Sequence, residues 1–452
     1  MYTEFWRIPL RPAFPLPTSF LKRHRIYREL MSTPPIIATY LIETPMVVDQ
    51  AAEMIAGEQS SGTFLPVPGE TEELKARARA SVIDIKLLDI TDQPSLRGSR
   101  ARVGPDGKHR YQRAEIKIAF PFDNVGCNIP TLAATVCGNL YELAEHSGCK
   151  LLDLDLPTAF AQRYPGPQFG VEGTRRLADV QERPIIGTII KPSVGLSPEQ
   201  TAELVRELGE AGIDFVKDDE LMADPPHSPL AKRVECVMRT INRLADRTGR
   251  KIMYAVNISD EVDAMKRHHD CVVKAGGTCV MVSLNHVGYA GVSSLRSICE
   301  LPIHGHRNGW GMLTRHPLLG IEFTAYQKLW RAIGVDHLHV NGLKNKFWES
   351  DDSVVQSIEA LRTPMWGGYH AMPVISSGQW GGQAPETLRR TQTQDVLYVA
   401  GGGIMAHPSG PVAGVRGIQQ AWEAAAMGLT LEQYAVDHPE LRQTLAKFGG
   451  KP

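Results

Sequence analysis

The chain contains no apolar run long enough to span a bilayer. It contains no C-x-x-C pair. Its seven cysteines (Cys127, Cys137, Cys149, Cys236, Cys271, Cys279 and Cys299) are scattered. That spacing excludes a zinc ribbon or a disulfide framework and points to reduced core thiols in a cytoplasmic protein. Net charge is also missing: 49 Lys and Arg against 50 Asp and Glu leave −1. No broad electrostatic pull toward nucleic acid or a membrane surface follows from such a balance. Low-complexity tracts are absent too. What remains is an ordinary globular composition, 42% hydrophobic and 22% charged, in 452 residues, enough for two domains.

The first thirty residues differ. Arg7, Arg11, Lys22, Arg23, Arg25 and Arg28 make them basic, and Pro9, Pro12, Pro15 and Pro17 break helix. No apolar stretch precedes a cleavage site, which argues against a secretory signal. Residues 1–34 are expected to be a disordered extension, with Met31 an alternative start; an organelle transit peptide is the minority reading.

Residues 35–165 mix strands and helices and suggest an α+β domain. The strands are expected at 37–42, 81–88, 114–119 and 150–155, and the helices at 47–55 and 131–146. Tyr164-Pro-Gly-Pro-Gln-Phe-Gly170 is a linker by composition. Over 166–450 short apolar strands alternate with helices eight times, the strands at 185–190, 215–216, 252–256, 279–284, 301–304, 337–340, 372–375 and 396–399. Eight β-α units argue for a TIM (β/α)8 barrel, with its active site at the carboxyl ends of the strands.

Those ends carry the chemistry. The second gives Lys217-Asp218-Asp219-Glu220. Alternation puts Lys217 and Asp219 on one face and Asp218 on the other, with Glu220 able to turn back. Two carboxylates beside a lysine suit a hard cation such as Mg2+, provided CO2 converts Lys217 to a carbamate; a structural ion pair fits the same residues. Lys191, before Pro192 at the first strand end, suits a general base or an ion pair. The fifth and sixth ends give His304-Gly-His306-Arg307 and His339. Arg307 and His339 suit an anion, or a salt bridge and a satisfied core histidine. Ser376-Ser377-Gly378 and Gly401-Gly402-Gly403 follow strands seven and eight, the usual phosphate position of this fold, or mark simple turns. Lys346 lies in a loop that could close over a substrate, or it is a solvated charge.

Taken together, Gly187-Thr-Ile-Ile-Lys191-Pro, Asp214-Phe-Val-Lys217-Asp-Asp-Glu220, His306-Arg307, His339, Lys346, Ser376 and Gly401-Gly402-Gly403 resemble the large subunit of ribulose-bisphosphate carboxylase (RuBisCO) from about residue 36 to about 445. The resemblance implies a ferredoxin-like N-terminal domain before the barrel. It implies a carbamylated Lys217 holding Mg2+ with Asp219 and Glu220, Lys191 as the proton-abstracting base, His306 assisting, and Lys346 on a closing loop. Arg307 and His339 would bind one terminal anion. Thr63, Ser376, Gly378, Gly402 and Gly403 would surround the substrate and the other phosphate. Glu58 and Asn139 would come from a second subunit, so a homodimer or larger homo-oligomer is expected.

Departures place the resemblance on the RuBisCO-like branch. Ser193 replaces the second lysine of K-P-K, and Phe64 replaces a tryptophan. The loop Leu343-Lys-Asn-Lys346-Phe-Trp-Glu349 lacks the glycine–lysine pair, and Trp310 stands where the carboxylases have a histidine nearby. With both anion clamps read as retained, the expected activity is enediolate chemistry on a phosphorylated sugar acid. Decarboxylation or C–C hydrolysis of a 3-oxo-isoapionate 4-phosphate type substrate is the leading form. A methylthio-sugar phosphate enolase or isomerase, a true carboxylase and a catalytically silent regulatory relative are the alternatives.

Overall fold

Alternating burial along Ile36–Thr44 (β1) makes one face of an antiparallel sheet core and leaves the other half exposed. In the computed structural model, which describes residues 33–450 apart from 63–66, 101, 103–106 and 108, β1 pairs with Tyr111–Phe120 (β3) and Gly148–Asp155 (β4). Ser81–Thr91 (β2) flanks β3. The order β4-β1-β3-β2, with helix Val48–Glu58 after β1 and helix Ile129–Val136 after β3, is the ferredoxin-like arrangement. The helix expected over 131–146 stops early: Gly138 sits at φ −92°, ψ −133°, and a short 3-10 turn, Asn139–Glu142, follows. The expected extension over the first residues, Thr63 and Phe64 lie outside the described residues.

The second unit is a closed barrel of eight parallel strands: Ile185–Ile189 (β5), Phe215–Lys217 (β6), Met253–Asn257 (β7), Cys279–Ser283 (β8), Ile303–His306 (β9), His337–His339 (β11), Met372–Ile375 (β12) and Leu397–Val399 (β13). All eight expected strands are present. Inward residues (Ile185, Phe215, Met253, Ala255, Cys279, Met281, Met372, Val374, Leu397) fill the barrel, and Ala178 and Val180 close its lower end. Outward residues such as Ile186, Val216, Tyr254 and Val280 pack on the surrounding helices. Helix Pro198–Glu210 begins with a full capping box between Ser197 and Gln200.

One strand was not expected. Leu319–Ile321 (β10), between the fifth and sixth barrel strands, leaves the barrel and extends the N-terminal sheet in parallel with β4. Lys150 reinforces this junction, its Nζ donating to Thr314 O (2.9 Å) and His316 O (3.0 Å). Among the described residues no helix is long and apolar enough to cross a membrane.

Candidate active site

β6 positions the central cluster. Phe215 points inward, Val216 outward and Lys217 inward again, so the strand's last residue delivers its amine into the barrel mouth. Asp218 is turned to the outer wall, as alternation requires. Its Oδ2 accepts from Arg233 Nη2 (3.3 Å) and from the backbone N–H of Asn257 (3.0 Å), and Tyr254 donates to Oδ1. Asp219 and Glu220 return to the mouth. Asp219 Oδ2 accepts from Lys191 Nζ at 2.6 Å, and Lys191 Nζ also donates to Ser193 Oγ at 2.7 Å. Lys217 Nζ donates to Asp218 O at 2.8 Å and stands 3.5 Å from Glu220 Oε2. His306 Nε2 lies 3.6 Å from the same Glu220 oxygen.

Electrostatics follow from burial. Lys217 is 1% exposed, and desolvation lowers its pKa against the pull of Glu220 and Asp219. Burial, then the Lys217 charge, bring His306 down to about 4, so at neutral pH its ring is uncharged. Burial opposes ionisation of Glu220 as well, yet neighbouring positive charge prevails and draws it to about 2. At the low pH where Glu220 takes up its proton the His306 ring is charged, so it contributes most to that shift, with Lys217 next.

Beneath the mouth, three imidazoles form a single file that sequence reading missed. Thr174 Oγ1 meets His337 Nε2 at 2.8 Å, and His337 Nδ1 faces His304 Nδ1 at 3.3 Å. His304 Nε2 meets His339 Nε2 at 2.8 Å, and His339 Nδ1 meets Ser376 Oγ at 3.1 Å. Burial lowers the pKa of all three rings, that of His337 to about 3. The signal was present: His-x-His occurs on both strands, and period-two alternation sends both members of each pair inward.

Arg307 and His339 do not form the open cationic clamp expected. Arg307 Nη2 donates to Glu349 Oε2 at 2.8 Å, and Asn341 Nδ2 reaches that oxygen at 2.5 Å. Ser353 Oγ holds the other carboxylate oxygen at 2.9 Å. The guanidinium lies over the rings of Phe323 (5.0 Å) and Trp310 (5.3 Å). His339 spends both ring nitrogens on protein partners.

Loops after β12 and β13 complete the ring. Ser377 and Gly378 both adopt positive φ (73° and 86°), and Ser377 Oγ donates to Asn341 Oδ1 at 2.7 Å. Lys346 N donates to Ser377 O at 3.2 Å, which ties the sixth-strand loop to the seventh; the Lys346 side chain is exposed. Gly402 borders open space. At Gly403 a Cβ would sit 2.4 Å from Gln379 O, so the chain there needs glycine. Glu58 ends its helix on the N-terminal domain, beside Asn139. The Gln59 amide between them accepts from Asn139 N (3.2 Å) and donates to Thr135 O (2.8 Å). Neither residue belongs to the ring of barrel strand ends.

Comparison with known proteins agrees with this architecture. Residues 31–160 match the family model of the ribulose bisphosphate carboxylase large chain, N-terminal domain, and residues 170–448 match that of its catalytic domain. A 3-oxo-isoapionate-4-phosphate decarboxylase of Rhizobium rhizogenes is 48% identical over 416 residues, 91% of this chain and 98% of the relative. A 3-oxo-isoapionate-4-phosphate transcarboxylase/hydrolase of Xanthobacter autotrophicus is 50% identical over 412 residues, with the same coverage, 91% and 98%. The crystal structure of a rubisco-like protein from Burkholderia fungorum superposes with a TM-score of 0.84 at 47% identity, covering 92% of this chain and all of that one. With a ferredoxin-like domain, a closed barrel and both domain models matched, the chain belongs to the ribulose bisphosphate carboxylase large-chain family.

Proposed function

We propose that the protein is a magnesium-dependent lyase that removes CO2 from a branched 3-oxo sugar acid carrying one phosphate, of the 3-oxo-isoapionate 4-phosphate type. The observation that carries this reading is the convergence of Lys191, Lys217, Asp219, Glu220 and His306 at one barrel mouth, in a chain matched over nine-tenths of its length by the two 3-oxo-isoapionate-4-phosphate enzymes.

The residues fit a magnesium site. Among the described residues no three His, Cys, Asp or Glu side chains group closely enough to hold a metal, so Asp219 and Glu220 need a further oxygen. A carbamate on Lys217 provides it. Burial favours the uncharged amine, the form that adds CO2, and the hard-oxygen set then suits Mg2+. When bound, the ion supplies Lewis acidity to the 3-oxo oxygen and its neighbouring hydroxyl.

The chain's own groups do the rest. Breaking the carboxylate's C–C bond releases CO2 and leaves its electron pair in an enediolate. One proton returned to that carbon completes the product. Lys191, ion-paired with Asp219, holds such a proton at Nζ. His306, uncharged and close to Glu220, can accept or relay a hydroxyl proton. Ser376, Gly378, Gly402 and Gly403, with Thr63, form the phosphate pocket in this reading, and Lys346 lies on the loop that covers it. Glu58 and Asn139, outside the ring of barrel strand ends, reach a neighbouring site in a homodimer. Seven free thiols fit a reducing compartment such as the cytoplasm.

A second reading, transcarboxylation with C–C hydrolysis, is favoured by the 50% identity to the Xanthobacter enzyme. Substrate labelled with carbon-13 in its carboxylate separates the two. Decarboxylation sends the label to CO2 and bicarbonate, whereas transcarboxylation with hydrolysis keeps it in an organic acid. Unchanged substrate, followed by phosphorus NMR with Mg2+ and bicarbonate present, would remove both. Incubation with ribulose bisphosphate and labelled bicarbonate should fix no carbon.

A further inference from the structure

We propose that Glu349 sets the charge selectivity of this site: it neutralises Arg307 and reserves the end of the pocket opposite the glycine loop for an uncharged, hydroxylated group rather than a second phosphate. The proposal rests on the reading of the barrel mouth as a sugar-phosphate site and deepens it.

Four observations carry it. Arg307 and Glu349 are both buried (5% and 6% exposed) and meet at 2.8 Å, so their charges cancel inside the wall. Glu349 is not a passing rotamer: Asn341 and Arg307 hold Oε2, and Ser353 holds Oε1. His339, the other basic group at this end, is neutral and has both nitrogens engaged. Arg307 Nη1 is buried with no hydrogen-bond partner among the described residues, so its two N–H groups are unspent in the wall at this end. Lys344 and Lys346, on the same loop, are exposed.

A phosphate dianion placed here would meet a guanidinium whose charge a fixed carboxylate already cancels. Like-charge juxtaposition in a desolvated site is an effective means of rejection. The opposite end differs, because the glycine loop offers open space at Gly402 and the described contacts place no acidic side chain there. One end suited to an anion and one neutral end define a monophosphate pocket.

Calorimetric titration with ribulose 5-phosphate and ribulose 1,5-bisphosphate, in buffer with Mg2+ and bicarbonate, tests this. The wild-type protein should bind the bisphosphate no more than about threefold tighter than the monophosphate, and the two affinities should fall with salt at the same slope. Glu349→Gln frees the Arg307 charge and should raise bisphosphate affinity by roughly tenfold or more while leaving the monophosphate unchanged. If the variant does not fold, the wild-type ratio and salt slopes still decide. A wild-type preference for the bisphosphate above tenfold, or a steeper salt slope for it, overturns the proposal. So does an unchanged ratio in a folded variant. Because binding is read without turnover of the 3-oxo acid, the two readings fail separately. Failure to decarboxylate leaves this ratio standing, whereas failure to bind either sugar phosphate brings down the pocket and the proposal together.

Discussion

Asp218 and Asp219 are neighbours in sequence with opposite duties, and replacing each by asparagine separates them. Asp218 is 1% exposed and Arg233 is 0% exposed. Removing one charge from a buried pair typically costs about 3–5 kcal/mol, because the other is left desolvated and unpaired. Arg233 would keep the carbonyls of Ser228 (2.6 Å), Met222 (3.2 Å) and Ala223 (2.5 Å), which points to the lower end. A loss of about 3 kcal/mol lowers the melting temperature of a unit this size by roughly 6–12 °C. Asp219→Asn removes a partner of Lys191, whose side chain is 38% exposed and can be rehydrated. Asp219 is itself buried (2% exposed), but the amine it leaves is within reach of water, so the variant's melting temperature should fall by less than half of the Asp218→Asn loss. Its turnover, however, should fall by two orders of magnitude or more, in line with loss of a general acid's or metal's support. Circular dichroism melts and steady-state rates on both variants decide. Equal melting temperatures, or Asp219→Asn as the less stable protein, would show that strand alternation has been misassigned.

Glycine replacements should separate pocket from wall. Gly402→Ala faces open space and should keep the melting temperature while raising KM severalfold, whereas Gly403→Ala forces a Cβ to 2.4 Å from Gln379 O and should cost about 1–3 kcal/mol in a melt. Acid should weaken the fold early. Burial holds His146 at about 4 and His337 at about 3. Between those values and the ordinary 6.5 the unfolded chain binds more protons, so their stability is fully present above about pH 6.5 and is lost as pH falls. His146 alone corresponds to about 3 kcal/mol across that window; urea midpoints at pH 7.5, 6 and 5 should decline steadily, and a flat series would refute the neutral-histidine reading.

Much of the barrel was legible because period and punctuation coincide there. Lys217, Asp219, His306 and Lys191 fall at strand ends, and the structure brings them together. The rest depended on distance. β10 is three residues with no periodicity of its own, and its partner β4 lies about 170 residues earlier, so only tertiary pairing creates it. Arg307 stood in the sequence as either anion ligand or ion pair. Nothing local showed that Glu349, 42 residues on, would fold back to meet it. The histidine file was readable from two His-x-His strands, yet its contacts needed the neighbouring strands' register, His337 opposite His304.

The excursion of β10 makes the two units impossible to part with a single cut. An excised barrel would carry an orphaned three-residue strand and the stripped carbonyls that receive Lys150; the severed amino-terminal piece would expose the bare flank of β4 to self-association. Tyr141 adds a clasp, its hydroxyl donating to Gly320 O at 2.8 Å. A molecule sewn across its own seam has little freedom to swing one half against the other.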